Sequence, residues 1–410
     1  MAAAGIAAKG HRVAIIDENF GLGGQIWRGQ SSASATRRVA GRVVAEWYRK
    51  AQENGITHLA GLRVFASPLT GILHAEGPEG LYELLYGKLI LATGARERFL
   101  PFPGWTLRNV MGVGGLQAMV KSGLPISGKR IVVAGSGPLL LAVAAYLHQH
   151  GAEVVAVCEQ ASLGSLAGFA LRLLGDPQKL KQGIEYRRQL GKATYCSGWW
   201  PIEARGNGRV ETVVISNGDG IRELSCDYLA CGYHLVPNTE LPALVGCEIK
   251  NGSVAVDALQ QTSVPNVLCV GESTGIGGLE KSLIEGEIAG LASTGRAEQA
   301  QPLLRKKEKS LRFAAAMDRA FALRPQLRHL PNAGTLVCRC EDVSFERMRE
   351  HDGWRSAKLH TRCGMGACQG RVCGSAAEFL FGWSVDSVRP PILPVRYGTI
   401  AAASAAQESL

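Results

Sequence analysis

Five cysteines near the C-terminal end carry the strongest chemical signal in this chain. Cys338 and Cys340 are separated by one residue in "VCRCEDV", Cys363 and Cys368 by four in "TRCGMGACQGRVCG", and Cys373 closes the second stretch. Each pair stands beside an expected helix start, in "SFERMRE" and "CQGRVCGSAAEF". Four thiolates can hold a [2Fe-2S] cluster, whose charged sulfurs are stabilised by helix N-termini and glycine N–H groups. Cys338, Cys340, Cys363 and Cys368 are therefore the expected ligands. Zinc competes for the same donors but usually takes two-residue spacings. Cys373 is expected to pack in the following helix, although it could replace Cys368.

A redox-active cysteine pair beside a flavin would have to follow a first nucleotide-binding unit, and residues 19–157 contain no cysteine. That chemistry is not expected. Cys158, Cys196, Cys226, Cys231, Cys247 and Cys269 fall mostly in apolar, strand-like contexts and read as buried small side chains.

Several glycine-punctuated stretches could position a nucleotide. "MAAAGIAAKGHRVAIIDE" reads as a helix, a turn at Gly10 and a strand over 12–16 that ends in Asp17 and Glu18. This is the second half of a β-α-β dinucleotide unit, in which the acid holds a ribose hydroxyl. The first strand and its glycine loop are missing, so the sequence is expected to be an N-terminally shortened form. "GLGGQIWRG" would bring backbone near a ligand, with Gln25 and Arg28 as polar groups. An apolar strand is expected over "KLILATGAR". A complete second unit follows, with strand "RIVVAG", loop "GSGPLL", a helix to about His150, strand "EVVAVC" and then Glu159. Gly135 and Gly137 take the first two glycine positions of the loop, while Leu140 replaces the third. "TSVPNVLCVGESTGIGGLEKSLIEG" reads as a buried strand, a Gly271-Glu272 turn and a helix from about Leu279. An acid in that place can accept a hydrogen bond from a ribityl hydroxyl or simply cap the turn.

The whole chain has 410 residues, 46% hydrophobic and 20% charged, which suits a soluble globular protein of several domains. No apolar run is long enough to span a membrane. A cytoplasmic protein is expected, with a peripheral place at the inner membrane face as the alternative. The net charge of +10 is spread out, with its densest run "RKKEKSLR" in an expected solvated linker helix. Nucleic acid is not an expected partner.

In order, "GGQIWR", "ATGARER", "GSGPLLLA", "VGE…GG", "CRCEDV" and "TRCGMGACQGRVCG" resemble the flavoprotein subunit of bacterial heteromeric amine dehydrogenases. This group includes the corresponding flavoprotein subunits of opine oxidase, D-hydroxyproline dehydrogenase and hydrogen cyanide synthase. The cysteine module is similar to bacterioferritin-associated ferredoxin. The resemblance implies an α/β flavoprotein with two dinucleotide-binding domains and a small helical [2Fe-2S] module. Its implied boundaries are 1–103 and 241–295 for the FAD-binding domain, 104–240 for an inserted NAD(P)-binding-like domain, 296–332 for a linker and 333–410 for the cluster module. It implies FAD near Asp17 or Glu18, Gly24, Gln25, Thr93, Gly94, Gly271 and Glu272. Gly135, Gly137 and Glu159 would form a second site for NAD(P) or another nucleotide. The same resemblance implies an electron relay serving a partner flavoprotein that oxidises a C–N bond in an amino acid, imino acid or opine. A small [2Fe-2S] ferredoxin-like subunit is the further partner that the resemblance implies. No catalytic acid-base pair stands out. The alternatives are a stand-alone NAD(P)H-dependent reductase, a zinc-stabilised nucleotide-binding scaffold or an inactive fragment.

Overall fold

The computed structural model describes residues 1–24, 46–47, 49–50, 52–191, 193–385 and 388–408. The chain folds into two compact units, one formed by Met1–Ala95, Pro237–Ala314 and Ser387–Leu410, the other by Arg96–Val236 and Ala315–Asp386. The expected mixed α/β architecture is present.

The first unit opens with α1 (Ala2–Ala7) and β1 (Ala14–Asp17), which pairs in parallel with β2 (Thr57–Ala60). A three-stranded antiparallel sheet follows: β3 (Arg63–Ala66), β4 (Ile72–Gly77) and β5 (Gly80–Leu85). Strand β6 covers only Leu89–Leu91, shorter than the expected run. Gly94, at φ +68°, takes the left-handed region and separates this strand from a second short one, Ala95–Glu97.

The second unit contains β7 (Val110–Gly112), α2 (Val113–Lys121), β8 (Arg130–Ser136), α3 (Leu139–Gln149) and β9 (Glu153–Glu159). After α4 (Leu163–Leu173) and α5 (Pro177–Gln189) come β10 (Thr194–Ser197), then an antiparallel sheet of β11 (Trp200–Arg205), β12 (Thr212–Ser216) and β13 (Ile221–Ser225). Strand β14 (Tyr228–Tyr233) completes a parallel sheet in the order β10-β9-β8-β14-β7. This is a doubly wound unit, and both faces of its sheet are covered. Gly135, next to last in β8, has φ +134°, and a Cβ there would stand 1.8 Å from the Gly232 carbonyl oxygen. No larger residue fits there without moving two strands apart.

Back in the first unit, β15 (Val267–Cys269) pairs in parallel with β6, and α6 (Gly278–Ser293) packs its Ile284 and Ile288 with Ile6 of α1. The "RKKEKSLR" run lies in α7 (Gln301–Ala320). It is not wholly solvated as expected: Lys307 is 9% exposed and donates to the carbonyls of Asp257 and Ala258 at 3.3 Å.

The cysteine module in the second unit has β16 (Leu336–Cys338), β17 (Val343–Ser344), α8 (Trp354–Thr361) and α9 (Cys373–Phe381). Val337, Met348, Trp354 and Ala357 form its core together with Cys338, Cys363 and Cys373. The last helix, α10 (Tyr397–Glu408), belongs to the first unit. Among the described residues, no helix is long and apolar enough to cross a membrane.

Candidate functional site

Three sets of residues singled out by the sequence can be followed. In the cysteine module, the short strand β16 delivers Cys338, the turn after α8 delivers Cys363, and the first residue of α9 is Cys373. The sulfurs of these three lie within 4.8 Å of one another, and all three residues are buried. The sequence reading gives Cys373 a packing role or the place of Cys368; it is packed in the module core and also lies beside Cys338 and Cys363, because α9 begins at that residue. Cys368 hydrogen-bonds to both Cys373 and Cys340, so the five thiols form one continuous group. Cys340 is exposed and Cys368 half-buried. Hydrogen bonds from the Cys363 and Cys373 thiols hold Cys338 far below the usual thiol range, at about 2, and the Cys373 thiol lowers Cys368 to about 5. The pull is reciprocal: Cys363 is pushed up to about 12 by its bond to Cys338. Cys340 and Cys373 are raised as well, so Cys338 and Cys368 are the two thiols of the group that favour the thiolate. Tightly grouped thiols also fit the all-thiolate donor set of an iron–sulfur cluster or zinc.

In the first unit, β6 and β15 are adjacent and parallel, so the turns after them come together. Thr93 Oγ1 donates to the Asn238 carbonyl at 2.5 Å and lies 2.9 Å from Ser273 Oγ. Open space surrounds Gly94 where a Cβ would stand. The carboxyl ends of adjacent parallel strands are where open α/β sheets take ligands, and Thr93, Gly94 and Gly271 form a ledge at that end of β6 and β15. Glu272 is turned toward its own chain: its carboxylate accepts from Gly277 N–H at 3.1 Å and Gly278 N–H at 2.7 Å, at the start of α6. Of the two sequence readings for this acid, the capped turn is the one the geometry displays. Beneath it lies a pair that the sequence reading missed. Lys281 and Glu285 are each 1% exposed and 3.0 Å apart; Lys281 Nζ also donates to the Gly271 carbonyl, and Glu285 accepts from Gly271 N–H. Their i, i+4 spacing on α6 was the available signal. Asp17 ends β1 and accepts from the Asn19 N–H at 2.9 Å, Glu18 and Gly24 are exposed, and Gln25 lies outside the described residues.

In the second unit, Glu159 ends β9 as expected but is 1% exposed. Its carboxylate accepts from Gly137 N–H at 2.7 Å and Ala161 N–H at 2.8 Å. Burial raises its carboxyl to about 7 despite those bonds. Residues 321–324 run beside it: the Phe321 carbonyl accepts from Ser136 Oγ at 3.0 Å, and Arg324 N–H donates to Gln160 Oε1 at 3.2 Å. The end of β8 and the residue after β9 are thereby bonded to the backbone of residues 321–324. Glu97, which lies inside "ATGARER" but does not stand out in the sequence, accepts from Gly114 N–H at 2.5 Å and caps α2. Burial raises its carboxyl as well.

The sequence profile of pyridine nucleotide-disulphide oxidoreductases matches residues 1–301, which is most of the chain. The chain belongs to the pyridine nucleotide-disulphide oxidoreductase family. Members of this family bind FAD, NAD(P) or both, and the chain is an FAD-dependent oxidoreductase of that kind. The chain is 32% identical to hydrogen cyanide synthase subunit HcnB of Pseudomonas protegens, over 91% of this chain and 87% of that one. It is 31% identical to an opine oxidase subunit of Rhizobium meliloti, over 97% and 94% respectively. Both relatives fall in the group that the sequence motifs resemble. Among solved structures, L-proline dehydrogenase from P. horikoshii shares the fold with a TM-score of 0.68 and 18% identity, over 97% of this chain and 76% of that one.

Proposed function

We propose that this oxidoreductase is the FAD- and [2Fe-2S]-containing electron-transfer subunit of a heteromeric dehydrogenase, taking electrons from a partner flavoprotein that oxidises a C–N bond in an amino acid, imino acid or opine. The observation that carries this reading is the convergence of the three buried thiols of Cys338, Cys363 and Cys373, with Cys368 and Cys340 hydrogen-bonded on, in a chain whose relatives are named as subunits of hydrogen cyanide synthase and opine oxidase. When bound, FAD would supply two-electron acceptance with one-electron release, and the cluster would supply one-electron carriage.

The protein's own residues then have holding roles. Thr93, Gly94 and the Gly271-Glu272 turn line the flavin ledge, Asp17 serves the adenosine ribose, and Lys281 with Glu285 fixes the Gly271 turn from below. Cys338 and Cys363 hold the cluster together with two of Cys340, Cys368 and Cys373, Cys373 being one of the two. Rapid flavin reduction by a nicotinamide nucleotide is less well supported, because both oxygens of Glu159 are engaged by backbone and the residue is buried.

The test is an anaerobic absorbance and electron paramagnetic resonance spectrum of the purified chain before and after dithionite, with iron and sulfide assayed. A reduced [2Fe-2S] signal at about two irons per chain supports the relay. Colourless protein containing zinc, or amine dehydrogenation by this chain without a partner, would overturn it.

A further inference from the structure

A second group of thiols lies in the second unit and takes no part in the relay. Across its parallel sheet, Cys196 on β10 is the register partner of Cys158 on β9, Cys158 is opposite Ala134 on β8, and Ala134 is opposite Cys231 on β14. One row of the sheet therefore reads Cys196, Cys158, Ala134, Cys231, and all four side chains enter the same core. Neighbouring strands are about 4.8 Å apart, inside the Cα separation of about 4.4–6.8 Å that a disulfide requires. Cys231 lies two strands from Cys158, at roughly twice that spacing, and is out of reach.

The two adjacent thiols are unlike. Cys158 is 0% exposed, with its thiol raised well above the ordinary range, first by its bond to Cys196 and then by burial. Cys196 sits on the edge strand of the sheet, 6% exposed. Its thiol is lowered to about 6, first by the hydrogen bond from Cys158 and then, against the opposing effect of burial, by the Arg222 guanidinium. Arg222 is exposed on β13 and stacks 4.2 Å from the Trp199 ring, while its guanidinium hydrogen-bonds to the buried Cys196. A thiolate next to a cation, at a sheet edge and against a second thiol, has the parts of an oxidisable pair: attacking sulfur, activating charge and resolving sulfur.

We propose that Cys158 and Cys196 form a modification site for hydrogen peroxide, Cys196 being the attacking sulfur and Cys158 the resolving one. The Cys196 thiolate attacks one peroxide oxygen, the O–O bond breaks, and the other oxygen leaves as hydroxide, giving a sulfenic acid. The Cys158 sulfur then attacks the Cys196 sulfur. The S–O bond breaks, the S–S bond forms, and water leaves with the Cys158 proton. In total the two thiols lose two electrons and two protons, and one peroxide becomes two waters. The product ties edge strand β10 to β9.

The experiment treats the full-length protein with hydrogen peroxide, blocks free thiols, digests without reduction and maps every cysteine by mass spectrometry. A peptide joining Cys158 to Cys196, restored to two thiols by dithiothreitol, is expected. Cys158→Ser should leave Cys196 as a sulfenic acid captured by dimedone, and Cys196→Ser should leave Cys158 a free thiol at the same dose. Arg222→Gln should slow formation of the link several-fold at neutral pH. Recovery of Cys158 and Cys196 as free thiols at a dose that oxidises the exposed Cys340 would overturn the proposal. So would unchanged oxidation of Cys158 in Cys196→Ser.

Discussion

Glu159 is the residue in which position and environment pull apart. Burial holds its folded-state carboxyl at about 7, against an ordinary value of 4.5. Between those two pH values the unfolded chain has released the proton while the folded chain keeps it, so folding stability falls as pH rises through this window and levels off above about 7. The full effect is at most about 3 kcal/mol. Melting temperatures of the wild-type protein and Glu159→Gln, measured from pH 4.5 to 8, should therefore converge or cross as pH rises, the wild type losing stability that the variant keeps. Parallel curves would remove the buried carboxyl from the account. The position of Glu159 at the end of β9 was legible in the sequence from the strand and the two loop glycines before it. Its burial was not, since residues 321–324 lie more than 160 positions downstream.

At the scale of elements, two helices place chemistry where spacing alone was ambiguous. The start of α9 at Cys373 is what turns a residue expected to pack into a member of the thiol group. Cys373→Ser should lower bound iron per chain about as far as Cys338→Ser does, and further than replacement of any cysteine outside the module. Full iron in Cys373→Ser would return that residue to packing. The pairs Cys338/Cys340 and Cys363/Cys368 were expected as ligands from their spacing. Which of the five sulfurs meet depends on where α8 stops and α9 begins, a matter of a residue or two that sequence boundaries do not resolve. Helix α6 makes the complementary case: its start was legible to within a residue, yet the Lys281–Glu285 pair under it was hidden because burial is a tertiary property. Lys281→Met leaves the Glu285 charge buried without its partner and should cost about 3–5 kcal/mol, whereas a Lys281→Met/Glu285→Leu double variant should recover most of it. Chemical denaturation of both variants measures this, and equal losses would count against a charge-pairing origin.

At the scale of the whole molecule, the two units have separate cores, and the thiol group is built into only one of them. Cys338, Cys363 and Cys373 are core residues of the module in the second unit, so an ion held by these sulfurs stabilises that unit directly, as metal binding to the native state does generally. The first unit keeps its own core around Leu91, Val254, Val267 and Cys269, with no sulfur of the group in it. Removing the metal with a chelator under anaerobic conditions should therefore act unevenly. Hydrogen exchange followed by mass spectrometry should show faster exchange over residues 336–381, while 63–91 and 267–293 exchange as before. Because a chain with two cores need not unfold in one step, calorimetry should show one transition moving down and the other staying in place. Uniform acceleration along the chain would mean that the two units do not unfold separately. No change anywhere would mean that the thiol module carries no structural metal, and the relay would lose its cluster.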